Sequence, residues 1–388
     1  MKAETQALLA GHMRTFSFSR TGLSGPGADF LRRETATAQF VLLGESHMDR
    51  DTPIFAEGLF GALRRDHGFG YLVVENDPLA IDTIGARAYR GDVRRVAELV
   101  KAYPAHIGFS SDQDLELMAS VAALQKGPIP TVWGIEQAQG AHRYLELLLP
   151  LAPNAAARAE VERLLALARK ESRENPGIFM HDEPRTLEWL QALKASYAAR
   201  PGSRADQLLS ALITSAEIYS YNRRAANEPV GLYNNTVREQ LFKENFMRRY
   251  REAARGGKLP RALFKMGLYH MYRGKSPVHA YTIASFAHEF AIANGMRGYG
   301  LLVLPVGGDA KTLSGFPAWY QPLLPAELPS GPVVIDLAPL KPLASRFTRQ
   351  VRVEDQWRLR DTIHGFDAIV ILPTSAKATW TLTGFKTP

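Results

Sequence analysis

The chain has 388 residues, 46% of them hydrophobic and 22% charged, with a formal net charge of +8 and no cysteine. That composition is ordinary for a globular protein of one large domain or two closely joined ones, and its modest positive charge permits acidic partners without demanding them. The missing cysteine excludes disulfides, thiolate nucleophiles and Cys-ligated zinc or iron–sulfur sites.

The first thirty residues contain no apolar run of signal-peptide length, and no segment approaches the roughly 18 apolar residues of a membrane span. A cytoplasmic protein is therefore expected. Short apolar runs bounded by turn residues then recur along the chain: "AQFVLLG" (38–44), "GYLVVEN" (70–76), "IPTVWGIE" (129–136), "RALFKMGLY" (261–269), "YGLLVLP" (299–305), "PVVIDL" (332–337) and "FDAIVIL" (366–372). They read as strands covered on both faces. Helix-length segments lie between them. Thr52 before Pro53, Asp77 before Pro78 and Ser111 before "DQDLELMASVAALQ" supply start signals. Alternation of this kind predicts an α/β fold, a mostly parallel sheet flanked by helices.

From 151 to 257 the pattern changes. Leu187, Leu190, Leu193 and Tyr197 keep helical spacing, as do Leu208, Leu209, Leu212 and Ala216, then Phe242, Phe246 and Tyr250. This segment is expected to be an all-helical insertion. Residues 1–150 and 258–388 would form the two halves of the α/β body.

In open parallel sheets, ligands bind at the carboxyl ends of strands. Four predicted strands deliver a carboxylate or an imidazole there: Glu45 with His47, then Glu75, Glu136 and His270. If the chain stays extended past Gly44, residues 45 and 47 point to one side. A carboxylate beside an imidazole raises its basicity and fixes its tautomer, so the pair could activate water. The same donors could instead hold a divalent metal, and the residues do not separate these readings. Blander roles are also open. Glu75 or Glu136 could cap the helix that follows, and His270 could be a core histidine. No G-x-S-x-G elbow, P-loop, G-x-G-x-x-G or H-E-x-x-H is present. The basic stretch "FMRRYREAARGGKLPRALFK" (246–265) reads as a solvated helix face, not a nucleic-acid surface.

These motifs resemble the erythromycin esterase-like family and its wider ChaN-like and Tiki-like relatives. The matching positions are Glu45, His47, Glu75 and His270, with Arg238, Glu239 and Asn245 in "VREQLFKENF" and a closing strand in "FDAIVILPTSAKATW". The order of motifs agrees from about 36 to 380. The Glu-to-His spacing is one residue shorter than in the esterases, and Arg273 stands where they carry a second histidine. The resemblance implies hydrolysis of an ester, lactone or amide of a small molecule; with the nucleotide-binding motifs missing, no cofactor is expected other than a possible divalent metal. His47 would be the base, oriented by Glu45 and Glu75. His270 and Arg273 would stabilise the oxyanion, and Arg50, Glu136 and Arg238 would help to hold substrate. The Tiki-like branch implies a metal-dependent hydrolase instead, and the ChaN-like branch a non-enzymatic haem or ligand binder.

Overall fold

The structure, a computed structural model, describes residues 2–174, 177–225, 227–228, 233–307 and 315–385. Its strands are β1 (Met13–Thr15), β2 (Ser17–Ser19), β3 (Gly22–Ser24), β4 (Ala38–Glu45), β5 (Tyr71–Val74), β6 (Val132–Gly134), β7 (Ala262–Gly267), β8 (Arg297–Val306), β9 (Val333–Asp336) and β10 (Ala368–Pro373). Every strand expected from the sequence is present. The three short ones near the start were not expected, because three residues give no periodicity to read.

Eight strands form one sheet in the order β1-β9-β10-β8-β4-β7-β5-β6, and β2 pairs with β3. From β10 to β6 every pairing is parallel, and β9 and β1 close one edge antiparallel. The apolar runs are continuous because both faces are buried. Val41, Leu43 and Leu263 enter a core with the helices Asp51–His67 and Asp112–Ala123, whereas Phe40, Leu42 and Phe264 enter another with the helices Tyr233–Ala253 and Ile283–Ala293.

The expected helical region is also present, as the helices Ala155–Glu174, Ile178–His181, Thr186–Tyr197, Arg204–Arg224 and Tyr233–Ala253. Leu190, Leu193, Leu209 and Leu212 pack in a third core, which Tyr144 and Leu145 also join. The last of these helices differs. Its Phe242, Phe246 and Tyr250 pack on the sheet beside Phe40 and Phe264, so it belongs to the body and presents its first turns to the strand ends.

Two start signals hold and one is corrected. Asp77 accepts from the N–H groups of Leu79 and Ala80, and Ser111 from Asp114. The helix expected to begin at Thr52 begins at Asp51. Its cap is Asp49, whose Oδ1 accepts from the N–H groups of Asp51 at 3.0 Å and Thr52 at 2.7 Å. Among the described residues, no helix is long and apolar enough to cross a membrane.

Candidate active site

β4, β7, β5 and β6 are neighbours in the sheet, so the residues that follow them share one edge. Glu45 ends β4, level with Gly267 at the end of β7. β4 ends at Glu45 and the chain bends at His47, and His47 Nδ1 lies 3.1 Å from Glu45 Oε1. With the proton on Nδ1, the imidazole donates to a buried carboxylate and leaves Nε2 free. The ring lies against Phe109, with centroids 4.1 Å apart and planes at 20°. Phe109 is itself held by its N–H, which donates to Asn76 Oδ1 at 3.1 Å.

Glu75 stands between two imidazoles. Its Oε2 lies 3.7 Å from His47 Nε2 and accepts from the N–H of Gly267 at 2.6 Å. Its Oε1 lies 3.4 Å from His270 Nε2 and accepts from Arg238 at 2.8 Å. A side chain at Gly267 would displace the imidazole, because a Cβ would come 2.6 Å from His47 Nε2. Gly44 is similarly constrained. The chain leaving β7 crosses it so closely that a Cβ would lie 3.0 Å from Met271.

Behind these groups sits a layer of internal counter-ions. Lys265 of β7 donates to Glu45 at 2.8 Å and to Asp114 at 2.7 Å, on the face where Glu45 points. Arg238 donates through Nε to Glu136 and Gln137, each at 3.0 Å, and through Nη2 to Glu75 and Glu136. His270 Nδ1 lies 2.6 Å from Oε1 of Glu239, whose Oε2 accepts from the N–H of Ile283 at 2.6 Å. Arg238 and Glu239 are consecutive on a helix fixed to the sheet, so one element serves both Glu75 and His270.

The electrostatics follow from these contacts. Burial pushes the Glu45 carboxyl up, but Lys265 and the hydrogen bond to His47 outweigh it and bring its pKa to about 2. Burial of Glu75 is likewise overcome by His270, His47 and Arg238, which hold it well below the usual range. For His47, burial disfavours the charged ring. The hydrogen bond to Glu45 and the charges of Glu75 and Glu45 more than compensate, and its pKa is raised. Burial also disfavours the charged His270 ring, but Glu75 and Glu239 together outweigh burial and Arg238 and raise its pKa to about 9. Glu136 is raised, burial exceeding the pull of Arg238.

Glu45, His47, Glu75, Glu136, Arg238 and His270 are therefore brought together. Arg238 and Glu136 satisfy each other below the edge. The two remaining arginines stand elsewhere. Arg50 pairs with its neighbour Asp51 and lines a surface hollow with Ser330 and Thr374. Arg273 turns to the face covered by Ile283–Ala293, where it meets His288 at 2.7 Å and Asp367 at 3.4 Å. Sequence reasoning missed Lys265, Gln137, Asp114 and Phe109. Lys265 did leave a signal, since a lone lysine in a strand buried on both faces requires a carboxylate.

Lys265 and Arg238 already occupy the positions from which a cation would neutralise Glu45 and Glu75, and no group of three or more His, Asp or Glu residues among the described ones is arranged to hold an ion.

No protein-family model and no curated protein sequence matches the chain. Its three-dimensional likenesses nevertheless run nearly end to end. A Bacillus cereus protein solved by structural genomics superposes with a TM-score of 0.59 at 13% identity, over 98% of this chain and 99% of that one. A substituted erythromycin esterase in its open conformation gives 0.57 at 13% identity, over 95% and 99%. A succinoglycan biosynthesis protein gives 0.56 at 14% identity, over 98% of each. The chain has the erythromycin esterase-like fold.

Proposed function

We propose that a chain of this fold, with this edge, is a hydrolase in which His47 takes a proton from water attacking an ester, lactone or amide of a small molecule. One observation carries the reading. His47 has one ring nitrogen fixed by a buried carboxylate, the other 3.7 Å from Glu75 Oε2, and a side chain that is 29% exposed. That is the arrangement a general base requires: a set tautomer, an available lone pair and access to water.

Each neighbour has a part. Glu45 orients the ring and stabilises the imidazolium that forms. Glu75 Oε2, 3.7 Å from Nε2, offers a second acceptor for the attacking water. His270, its pKa raised to about 9, and Arg238, whose Nη1 lies 3.1 Å from His270 Nε2, together place positive charge on the far side of Glu75, where it favours a developing oxyanion. Lys265 and Arg238 keep the carboxylates ionised and in place. The erythromycin esterase with which the chain shares its fold is a hydrolase, and that supports the reaction class.

The test is turnover of a panel of activated esters and lactones by the wild type and by His47→Ala. Loss of general-base catalysis is expected to lower the rate by about 10²- to 10⁴-fold, with an unchanged circular dichroism spectrum, because the side chain is not part of the core. Chelators should leave the wild-type rate intact. Undiminished turnover in the variant would sink the reading.

A further inference from the structure

Beyond β10 the chain runs along the loop that carries His47. It turns at Thr374, φ 62°, and continues as an irregular strap over residues 375–382. The N–H of Arg50 donates to Ala376 O at 2.9 Å, and the N–H of Ala378 donates to Met48 O at 3.0 Å. Asp49 and Lys377 stand opposite each other in the antiparallel bridge that these two bonds make. Ser375 Oγ donates to Asp49 Oδ1 at 3.3 Å. The strap therefore holds each residue from 48 to 50.

Met48 gives that hold its importance. Its φ is 72°, in the left-handed region that a side chain disfavours. Such a conformation persists only where the surrounding structure fixes it. Met48 is 46% exposed, so packing does little to fix it. The bond from the strap to its carbonyl does. Met48 joins His47 to the helix cap Asp49, and relaxation of its backbone would move the imidazole relative to Glu45.

The far end of the strap is gripped by Asp112, whose side chain is buried. Its Oδ2 accepts from Thr379 Oγ1 at 2.7 Å, from the N–H of Thr381 at 2.8 Å and from Thr381 Oγ1 at 2.6 Å. Its Oδ1 accepts from the N–H of Leu382 at 2.9 Å. Asp112 stands in the first turn of a helix, but Ser111 is the cap. All four of these bonds go to a segment far along the chain. Gln113 adds a reciprocal pair with Thr379, Nε2 to Oγ1 at 2.8 Å and N–H to Oε1 at 3.1 Å. The same helix start reaches His47 by two further routes. Phe109, just before it, stacks on the imidazole, and Asp114 shares Lys265 with Glu45.

We propose that Asp112 is a positioning residue for His47: by gripping the strap it fixes the backbone of residues 48–50 and keeps the imidazole aligned with Glu45. The proposal rests on the reading of His47 as the base. A strap that merely fastened the end of the chain would contribute stability and leave the chemistry alone.

The test compares the full chain with Asp112→Ala and with a milder variant, Thr381→Val, which removes one hydroxyl donor. His47 is titrated by ¹⁵N NMR, and turnover is measured on the ester and lactone panel. Burial and Lys265 lower the His47 pKa, and Glu45 and Glu75 raise it by more. In Asp112→Ala its midpoint should fall towards 6.5. The kcat should fall by up to about 100-fold, the cost of a misplaced catalytic group, with KM little changed. Thr381→Val should move both in the same direction by less, and it decides alone if Asp112→Ala does not fold. Thr381→Ser, which keeps the hydroxyl, should restore both. The NMR readout needs no substrate, so a falling midpoint beside a wild type without turnover would uphold the positioning role and remove the hydrolase reading. A lowered melting temperature with the His47 midpoint and kcat unchanged would leave only a fastening and overturn the proposal.

Discussion

At the scale of single residues, the site depends on close approach. Gly267 puts its N–H on Glu75 and leaves the space that His47 fills. In Gly267→Ala, the new methyl would lie 2.6 Å from His47 Nε2 and 3.2 Å from Glu75 Oε2. The imidazole can move aside cheaply because it ends a flexible side chain, and it would then lose its alignment. Misplacement of that order costs about 100-fold in rate. Steady-state kinetics should show such a fall with little change in melting temperature, and wild-type kinetics would contradict the placement. Glu45 and His47 were legible from sequence because they stand two residues apart at a strand end, and the bend at His47 still brings the imidazole to the carboxylate. Arg273 was expected beside His270 because it stands where the resembling family carries its second histidine. A turn of 3-10 helix over Leu268–His270 redirects the chain, and three residues later it is on another face.

At the scale of elements, the strands were legible because burial on both faces writes an unbroken apolar run, and the insertion because helical periodicity persists through it. What the runs concealed was their exception. Lys265 lies in the middle of β7 with its side chain 5% exposed, held between Glu45 and Asp114. The ammonium is buried with one fully buried carboxylate, Glu45, and one partly buried one, Asp114, and each depends on the others. Lys265→Met would leave two carboxylates without their cation. The expected cost is about 3–5 kcal/mol, measured by urea unfolding, and a loss well below that range would mean that water already solvates the group. The helix Tyr233–Ala253 was also only half legible. Its spacing gave Phe242, Phe246 and Tyr250 as an apolar stripe, but periodicity cannot say which surface the stripe meets. It meets the sheet, and that contact aims Arg238 and Glu239 at the strand ends.

At the scale of the whole molecule, the edge is a balance of buried charges drawn from parts of the chain far apart in sequence, and stability must register it. His270 has a folded-state pKa of about 9, above its ordinary value of 6.5. A group whose pKa is raised by folding adds stability that is fully present below its unfolded value and is lost as pH rises through the folded one. The stability difference between wild type and His270→Gln should therefore be largest below about pH 6.5, on the order of 3 kcal/mol, and should fade as pH passes through about 9. A difference that grows with pH would contradict the assignment. The sequence could place five reactive groups on one edge because parallel strands present their carboxyl ends together. It could not place their counter-ions, which come from a mid-strand position and a distant helix. The central claim remains that His47 is the base, and it is tested most directly by titrating the His47 imidazole by ¹⁵N NMR beside the pH dependence of kcat/KM. Because Glu45 and Glu75 raise its pKa, the rate should climb with pH through a midpoint above 6.5 that coincides with the NMR midpoint, and both should fall together in Glu45→Gln. A rate profile that ignores the His47 titration would contradict the account.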